Sequence, residues 1–396
     1  MCLPSCPTYG IFQNEAESPR GRISLIQAVA QQSLEATPSL KKHLDRCLGC
    51  RTCEKLCPAQ MNYGELLDRA RADWQQKPSF VLSRLLGWAA SKQQRKHLRT
   101  TLHWLRRLRI LKGLTALSRL FRDDIPDLSQ QQVFANTQTL YPSRTEPRGK
   151  LMLFTGCTGP DFDADTLHAT IKLLTHLGYV VELPQKQNCC GAMHLHNGDP
   201  VTAMQLAREN IAAFGKTDTS VLYIASGCGA QLKEYTDLPW QDEKDKNLAM
   251  ALANRTAEIT RFISQHELPK DLSIAPLNKT VAVYTPCSMR NILRHDDAST
   301  QLLENIPEIN LQQLPNTPAC CGAAGTYMLT QAKLAGQIRQ PHLENIKALG
   351  ASVLTTTNIG CALHLKNGAA QQGIPLDVKH PITLLAEQLR IENKTC

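Results

Sequence analysis

A run of four closely spaced cysteines near the N-terminus has the pattern of an iron–sulfur ligand loop. Cys47, Cys50, Cys53 and Cys57, with a proline directly after the last, form the C-x2-C-x2-C-x3-C-P run of bacterial [4Fe–4S] proteins. The two-residue gaps let the chain curl around one face of a cubane, so that three thiolates reach three irons. Zinc also binds paired thiolates, but the full run with its trailing proline favours a [4Fe–4S] cluster.

A shorter motif at the start of the chain supplies two further cysteines. Cys2 and Cys6 match only the second half of the same pattern, C-x3-C-P. In two-cluster ferredoxins the fourth cysteine of each run binds the other cluster. This rule places Cys6 with the first three cysteines of the longer run, and Cys2 with Cys57. Two explanations are open for the missing half: the second cluster is lost, or Met1 is an internal methionine. We expect the second explanation, and an upstream reading frame without Cys-x-x-Cys would contradict it.

The second half of the chain contains one four-cysteine arrangement twice. Each copy has a single cysteine, a Cys-Cys-Gly sequence and a fourth cysteine, at Cys157, Cys189, Cys190 and Cys228 and again at Cys287, Cys320, Cys321 and Cys361. Corresponding cysteines are 130, 131 and 133 residues apart, and this regularity indicates duplication. Vicinal thiols can bind one metal centre, and the following glycine relieves crowding. An iron–sulfur cluster, zinc and dithiol redox chemistry all stay open for these cysteines.

Short apolar runs precede the cysteines of each copy. These runs are residues 150–155 and 221–224 in the first copy, and residues 280–284 and 353–355 in the second. Runs of this length, rich in branched side chains and separated by longer helical stretches, predict parallel strands of an α/β sheet. Open α/β sheets build their sites at the carboxyl ends of the strands. We therefore expect the cysteines of each copy to meet at that edge.

Length and composition divide the chain into five predicted parts. The 396 residues are 42% hydrophobic and 20% charged, which excludes a wholly disordered chain. The sequence contains no run of 18 apolar residues, so we predict no membrane-spanning helix. The 15 clustered cysteines, with no export signal, exclude a secreted disulfide scaffold and predict a cytoplasmic location. We predict an α/β protein with an α-helical ferredoxin-like domain at 1–80, a basic amphipathic helical segment at 81–122, a linker at 123–149, and two repeated modules with parallel sheets at 150–240 and 280–390.

The positive charge of the protein is concentrated in the basic segment. Between Arg84 and Arg122 there are eleven Lys or Arg residues and no Asp or Glu, so the net charge of +9 leaves −2 for the remainder. Leucines recur every three or four residues from Leu98 up to Phe121, which predicts an apolar stripe on a helix. Such a helix either contacts an anionic membrane or an acidic partner, or packs on the core with its basic face in solvent. No recognition motif accompanies the charge, so we expect no nucleic-acid partner.

A helix start is predicted between the two N-terminal cysteine motifs. Ser18 followed by Pro19 is the combination of an N-cap residue and a proline at the first helical position. Two interpretations are open for Arg20 and Arg22, which come directly after. Either they offset the charge of a nearby cluster, or they are solvated arginines of an ordinary helix.

Together these motifs resemble the iron–sulfur subunits of bacterial glycolate oxidase. Those proteins are part of a wider group with two cysteine-rich CCG domains, which includes heterodisulfide reductase subunits and the iron–sulfur subunit of anaerobic glycerol-3-phosphate dehydrogenase. The resemblance covers nearly the whole chain, and its most specific stretches are residues 2–9, 18–23, 43–53, 189–192, 225–230, 320–327 and 357–361. Relatives that hold unusual clusters in these modules end each module with Cys-x-x-Cys, whereas Gln231 and His364 occupy the second position here.

The resemblance implies an electron-transfer subunit with no catalytic residue of its own. A flavin-containing partner subunit oxidises glycolate to glyoxylate, and electrons pass through this chain towards the quinone pool, at the cytoplasmic face of the inner membrane. It implies a [4Fe–4S] cluster on the longer cysteine run, and it leaves open a second one and a further cluster or zinc in the modules. The alternatives are a subunit for another 2-hydroxyacid such as lactate, a thiol–disulfide or heterodisulfide reductase subunit, and a non-redox scaffold with zinc.

Overall fold

The N-terminal part of the protein is helical. The computed structural model describes residues 2–74, 78–107, 134, 138–266, 268, 272–315 and 320–391. N-terminal helices lie at Pro7–Phe12, Pro19–Ala30, Pro38–Asp45, Thr52–Lys55 and Tyr63–Asp73, with a 3-10 turn at Glu15–Glu17. Three of them begin with proline, which is tolerated there because the first amide nitrogens of a helix have no partner within it. Their apolar sides form a small core that includes Ile26, Leu40, Leu44, Tyr63 and Leu67.

The segment predicted as a basic helix begins as two helices. They lie at Phe80–Ala90 and Lys92–Arg107. Between them, the Ser91 hydroxyl accepts a hydrogen bond from the Gln94 backbone N–H at 3.2 Å, which is the geometry by which serine starts a new helix. The side chains of the predicted leucine stripe lie outside the described residues. Within the described part of the chain, no helix has both the length and the apolar character needed to cross a membrane.

The first module contains a five-stranded sheet. Its strands are β1 (Leu140–Tyr141), β2 (Gly149–Phe154), β3 (Tyr179–Glu182), β4 (Val221–Tyr223) and β5 (Thr256–Glu258), in the spatial order β1-β3-β2-β4-β5. Neighbouring strands are parallel except for β1, which lies in the segment predicted as a linker and runs antiparallel to β3. The helices lie at Gly159–Phe162, Ala164–His176, Ala192–Leu195, Pro200–Phe214, Ser226–Lys233, Glu243–Asn254 and Ile259–Ser264, with a 3-10 helix at Glu234–Asp237.

The second module contains a four-stranded parallel sheet. After β6 (Leu272–Ile274), the sheet is formed by β7 (Thr280–Val283), β8 (Asn310–Gln313), β9 (Val353–Thr355) and β10 (Asp377–Lys379), in the order β10-β9-β7-β8. β6 pairs with β11 (Leu389–Ile391) in an antiparallel ribbon. A π-helix lies at Ser288–Leu293, and α-helices lie at Ala298–Leu303, Tyr327–Thr330, Ala332–Ala348, Ile359–Gln371 and Pro381–Gln388. The predicted α/β class with parallel sheets is confirmed.

The two sheets share one topology. Among the parallel strands of each sheet, the first in sequence lies between the second and the third, and the fourth lies outside the third. The order β3-β2-β4-β5 therefore corresponds to β8-β7-β9-β10, which agrees with the repeated cysteine pattern. The strands expected from the apolar runs are β2, β4, β7 and β9. Their side chains are mostly buried, as in parallel sheets that are covered on both faces.

The two modules pack around a shared core. Leu153 of the first sheet and Val281 of the second lie in one cluster of buried apolar side chains. The helices Ala164–His176 and Pro381–Gln388, one from each module, contact each other and contribute leucines to this cluster. Burial of apolar surface between the modules thus holds the two halves of the duplication together. The domain boundaries drawn from the sequence stay predictions.

A buried histidine lies at the junction of the modules. His380 Nε2 donates a hydrogen bond to the backbone oxygen of Ile224 at 2.9 Å, and its Nδ1 accepts one from the Ile382 N–H at 3.2 Å. Burial lowers the pKa of His380 from 6.5 to about 4, because a charged ring would lose its hydration there. The folded protein therefore holds this ring neutral at physiological pH.

We expect acid to destabilise the fold through His380. The unfolded chain takes up a proton near pH 6.5, whereas the folded protein does so only near pH 4, so the free energy of unfolding falls as the pH drops through this window. From about pH 7.5 to about pH 5 the loss from this residue is about 2 kcal/mol. Urea unfolding of the wild type and of His380→Gln at both pH values measures this loss of unfolding free energy. Glutamine is the chosen replacement because it keeps a donor for Ile224 but does not titrate. Equal losses in the two proteins would contradict the prediction.

Candidate metal centres

Four cysteines of the N-terminal part line one cavity. They are Cys6, Cys47, Cys50 and Cys53, here called the front thiol set. Cys6 comes directly before the first helix, and the other three lie on the loop that follows the third helix and on the short helix after it. The structure thus brings together the four cysteines that the two-cluster spacing rule assigns to one site.

The loop of the front thiol set turns at two residues with left-handed backbone. Gly49 has a φ of 62° and Arg51 a φ of 55°. A residue other than glycine is uncommon in this region, and its strain must be offset by surrounding contacts. The Arg51 guanidinium forms an ion pair with Glu234 of the first module. The conformation of the ligand loop therefore depends on contact between the N-terminal part and the first module.

The donors of the front thiol set suit an iron–sulfur cluster. Desolvation raises the pKa of Cys50 to about 12 and also raises that of Cys53, because a thiolate loses its hydration in the cavity. Such thiols ionise when a metal takes the place of the proton. In the part of the chain that the structure describes, no three Cys, His, Asp or Glu side chains are arranged around a single metal ion. Four thiols spread around a cavity instead match a cluster whose irons each bind one thiolate.

Arg22 is a buried cation beside the front thiol set. Its guanidinium is 1% exposed and donates to the Glu17 carboxylate at 2.8 Å, to Thr8 Oγ1 at 3.1 Å and to the His43 backbone oxygen at 2.7 Å. Burial by itself would lower the pKa of Arg22, but negative charge at Cys47 is the largest of the effects that raise it above its ordinary value. Arg22 therefore carries a fixed positive charge next to the thiols.

Arg20, two residues earlier, lies in a different environment. The helix that carries both arginines begins at Pro19, and the Ser18 hydroxyl accepts a hydrogen bond from the Gly21 N–H at 3.0 Å, so the predicted helix start is confirmed. Arg20 is exposed and pairs with Glu15 at 2.5 Å. The buried position of Arg22 is consistent with an arginine that offsets the negative charge of a cluster. The exposed position of Arg20 is consistent with a solvated arginine of an ordinary helix.

Cys2 and Cys57 lie apart from the front thiol set. Neither is among the described residues that line its cavity, and both are half-buried. Cys2 lies near enough to Arg20 to interact with its charge. The assignment of these two cysteines to a second cluster stays a prediction.

Each module gathers its four cysteines at the carboxyl ends of its strands. The first-module set is Cys157, Cys189, Cys190 and Cys228, and the second-module set is Cys287, Cys320, Cys321 and Cys361. In both sets, neighbouring thiols in that order are close enough for each to shift the pKa of the next, and Cys321 Sγ lies 2.9 Å from Cys361 Sγ. The expected convergence at the sheet edge is therefore present, with the same order of contacts in both copies.

The glycine after each cysteine pair makes room for a helix. Gly191 and Gly322 both have a φ of 91°, in a backbone region that favours glycine. A Cβ at Gly322 would lie 2.6 Å from the backbone oxygen of Ala335, and one at Gly191 would lie 3.1 Å from that of Ala203. The crowding that glycine relieves is thus between the cysteine pair and the helix that packs over it.

A buried arginine also accompanies each module set. Arg95 and Arg290 are 5% and 6% exposed. Hydrogen bonding between thiols and burial raise the pKa of Cys157 and Cys287, and the positive charges of Arg95 and Arg290, respectively, oppose that rise. All three thiol sets therefore have a buried positive charge nearby. Neither arginine is recognisable from the sequence, which places Arg95 on a basic helix face and gives Arg290 no motif.

The residues that replace the last cysteine of Cys-x-x-Cys have different environments. His364 Nε2 donates to the backbone oxygen of Ala335 at 3.2 Å, and burial lowers the pKa of this histidine to about 4. The His364 ring is thus hydrogen-bonded to the backbone of the helix Ala332–Ala348. Gln231 is 1% exposed, and its carboxamide has no hydrogen-bond partner among the described residues.

Two families of known domains match the chain. The 4Fe-4S dicluster domain matches residues 1–61, and the cysteine-rich domain, CCG, matches residues 151–233 and 281–366. The first match contains the front thiol set, and the other two contain the module sets. The chain is therefore an iron–sulfur protein, as the [4Fe–4S] motif predicts.

Similar proteins cover nearly the whole chain. It is 31% identical over 412 residues to the probable glycolate oxidase iron-sulfur subunit of Bacillus subtilis (strain 168), with 98% of this chain and 92% of that protein aligned. It is 30% identical over 398 residues to the glycolate oxidase iron-sulfur subunit of Escherichia coli (strain K12), with 99% and 93% aligned. Lactate utilization protein A of Geobacillus sp. (strain WCH70) is 30% identical over 231 residues, which are 58% of this chain and 96% of that protein. With its two cysteine-rich modules behind a ferredoxin-like domain, the chain belongs to the family of glycolate oxidase iron–sulfur subunits.

Proposed function

We propose that this chain transfers electrons in a glycolate oxidase complex, from a flavin-containing subunit that oxidises glycolate to glyoxylate towards the quinone pool. The observation that carries the proposal is the front thiol set, in which four thiols surround one cavity beside the buried Arg22. A [4Fe–4S] cluster held there supplies reversible one-electron chemistry. The chain then needs no residue that touches the hydroxyacid.

The groups around the front thiol set are suited to stabilise thiolates. The Tyr63 hydroxyl donates towards Cys47 Sγ at 3.5 Å, and Thr8 Oγ1 lies 3.3 Å from Cys6 Sγ. Hydrogen bonds to ligand sulfurs and nearby charge are means by which proteins set the potential of a cluster. We infer that these groups, together with Arg22, stabilise the negative charge that the front thiol set carries when it binds a cluster.

The other cysteines are proposed as further binding positions. Each module set offers four thiols and a nearby buried arginine, and these donors suit either an iron–sulfur cluster or zinc. Cys2 and Cys57 are proposed as ligands of a second cluster of the ferredoxin-like domain. These assignments are supported by the repeated contacts between thiols and by the match to a dicluster domain.

The proposed partners are flavin-containing glycolate oxidase subunits as electron donors and quinone as acceptor. We place the chain in the cytoplasm, in peripheral contact with the inner membrane through its basic segment. The support is the charge of that segment, which has eleven basic residues and no acidic ones between Arg84 and Arg122. Anionic lipid headgroups attract such segments. Nucleic acid is not among the proposed partners.

A lactate-oxidising complex is the second candidate. The relative named lactate utilization protein A aligns with 58% of this chain. Glycolate and lactate are both 2-hydroxycarboxylates, so the same electron-transfer subunit suits either and the flavin subunit makes the choice. A heterodisulfide reductase role has less support, because Gln231 and His364 replace the additional cysteines.

Reconstitution tests the proposed function. The isolated chain, purified without oxygen, is expected to show no reduction of a quinone analogue with glycolate or lactate. Addition of the flavin-containing subunits from the same organism is expected to give turnover, and the preferred acid identifies the complex. Hydroxyacid oxidation by the isolated chain would refute the proposal. Reduction of a disulfide substrate by the chain with an artificial donor would favour the reductase alternative.

A further inference from the structure

The front thiol set is docked on the second module beside the cysteines of that module. The Asn291 side-chain amide donates to the Cys50 backbone oxygen at 2.6 Å and to Thr52 Oγ1 at 3.0 Å. Lys55 Nζ donates to the backbone oxygen of Arg290 at 3.0 Å. Both contacts join the ligand loop to the π-helix that begins directly after Cys287 of the second-module set.

The ligand loop has a second, apolar contact with the same module. Leu48, which lies between two ligands of the front thiol set, packs in an apolar cluster with Tyr327, Ala335 and Ile338. These residues follow the Cys-Cys-Gly sequence of the second module, and Ala335 is the residue whose backbone closely approaches Gly322. The loop therefore makes two separate contacts, one polar and one apolar, with the elements that carry the second-module set.

The second module also supplies the hydrogen bond to Cys50 itself, which its backbone oxygen accepts from Asn291. Contacts with the first module are also present. Arg51 of the ligand loop pairs with Glu234, and Ser288 Oγ of the π-helix donates to Ser226 Oγ at 2.8 Å, on the helix that carries Cys228. The first-module set is itself packed against Ala89 of the helix Phe80–Ala90.

The π-helix is the element that these contacts share. Its wider turn is rare and is found mainly at functional sites. In this protein it joins a ligand position, Cys287, to the amide of Asn291 four residues later, which holds the neighbouring ligand loop at Cys50. The corresponding stretch of the first module, after Cys157, has an α-helix at Gly159–Phe162 in its place.

We infer that the π-helix Ser288–Leu293, with Asn291 as its positioning residue, holds the front thiol set against the second-module set, so that a centre in the front set is coupled to the second module and not to the first. This inference rests on the proposed function, because it takes the thiol sets to hold iron–sulfur clusters. It assigns unequal roles to two modules of the same topology: the second-module set is coupled to the front centre, and the first-module set is not.

The duplication supplies a matched pair of variants, because Cys287 and Cys157 are corresponding cysteines. In the full-length protein, purified and reduced without oxygen, we expect the electron paramagnetic resonance signal of the front centre to be split by a second paramagnetic centre. Cys287→Ser is expected to abolish the splitting, and Cys157→Ser to preserve it. A splitting that survives Cys287→Ser, is lost equally in both variants, or is absent from the wild type overturns the inference.

Iron analysis of the same samples separates this failure from failure of the proposed function. A wild-type protein without iron at the front thiol set refutes the proposed function. An iron-loaded front centre with no splitting, or with splitting that depends on Cys157, refutes only the inference about the second module.

Asn291→Ala tests the positioning residue. The variant is expected to keep the wild-type circular dichroism and iron content but to lose the splitting, because the ligand loop is released from the π-helix. Asn291→Asp should behave alike, since a carboxylate cannot donate to Cys50. Asn197→Ala is the control: its amide donates to the Met193 backbone oxygen at 2.6 Å and to Thr326 Oγ1 at 3.0 Å, so it links the two modules without a hydrogen bond to the ligand loop. Wild-type splitting in Asn291→Ala would overturn the role of this residue.

Discussion

Replacing Cys50 by serine is expected to stop electron flow to quinone in the assembled complex while the flavin is still reduced by the hydroxyacid. Cys50 is one of the four cysteines of the front thiol set. A serine hydroxyl has nearly the size of the thiol but is a poor substitute for a thiolate at a [4Fe–4S] cluster. Flavin absorbance and quinone reduction, followed in the same sample, measure the two steps separately.

Cys57→Ser is the matched control for this experiment. Cys57 belongs to the same sequence motif but does not line the front cavity. We expect the control to keep the front centre, and its remaining quinone reduction reports whether a second cluster takes part. Undiminished quinone reduction by Cys50→Ser would show that the front thiol set is not an essential site of electron transfer.

Replacing Arg22 by methionine is expected to lower the free energy of unfolding by about 3 kcal/mol. The two side chains of the Arg22–Glu17 ion pair are each 1% exposed. Removal of the arginine leaves a buried carboxylate with one strong partner fewer, and it also removes the donors to Thr8 and to the His43 backbone oxygen. Urea unfolding at neutral pH, under anaerobic conditions, measures the loss.

Two further variants separate charge from packing at this position. Glu17→Gln combined with Arg22→Met removes both charges and is expected to recover part of the lost stability, since a buried carboxylate that has lost one of its partners is the main cost. Arg20→Met removes the exposed arginine of the same helix turn and should change stability little. If Arg22→Met were as stable as Arg20→Met, the buried ion pair would not be a significant part of the N-terminal fold.

The sequence allowed prediction of the parts that depend on local pattern. The strands β2, β4, β7 and β9 lie where short branched apolar runs occur, because such runs are stable mainly inside a covered parallel sheet. Cysteine spacing also predicted which thiols meet. The ferredoxin rule grouped Cys6 with residues more than forty positions away, and the duplication placed the module cysteines at strand ends. In each case a physical requirement produces a recognisable sequence pattern. A buried strand requires a run of apolar residues, and a metal centre with several thiolates requires regularly spaced cysteines.

The remaining features depend on tertiary contacts that produce no such pattern. A buried arginine looks the same in sequence as a solvated one, so Arg95 and Arg290 emerge only when the fold brings them beside thiols. The two-residue strand β1 is too short to show the alternation of apolar and polar residues by which a strand is predicted. It forms because it pairs with the edge of β3. The π-helix after Cys287 has no composition signal. Its partner is the ligand loop around Cys50, which lies more than two hundred residues earlier in the chain.

Iron, zinc and labile sulfide measured together on anaerobically purified protein test the central claim most directly. The account predicts at least about four irons per chain with a matching amount of sulfide, held by the front thiol set. A larger equal count of both would place clusters in the module sets as well. A colourless protein that contains zinc and no labile sulfide would contradict the account, because the three thiol sets would then form a structural scaffold without redox chemistry.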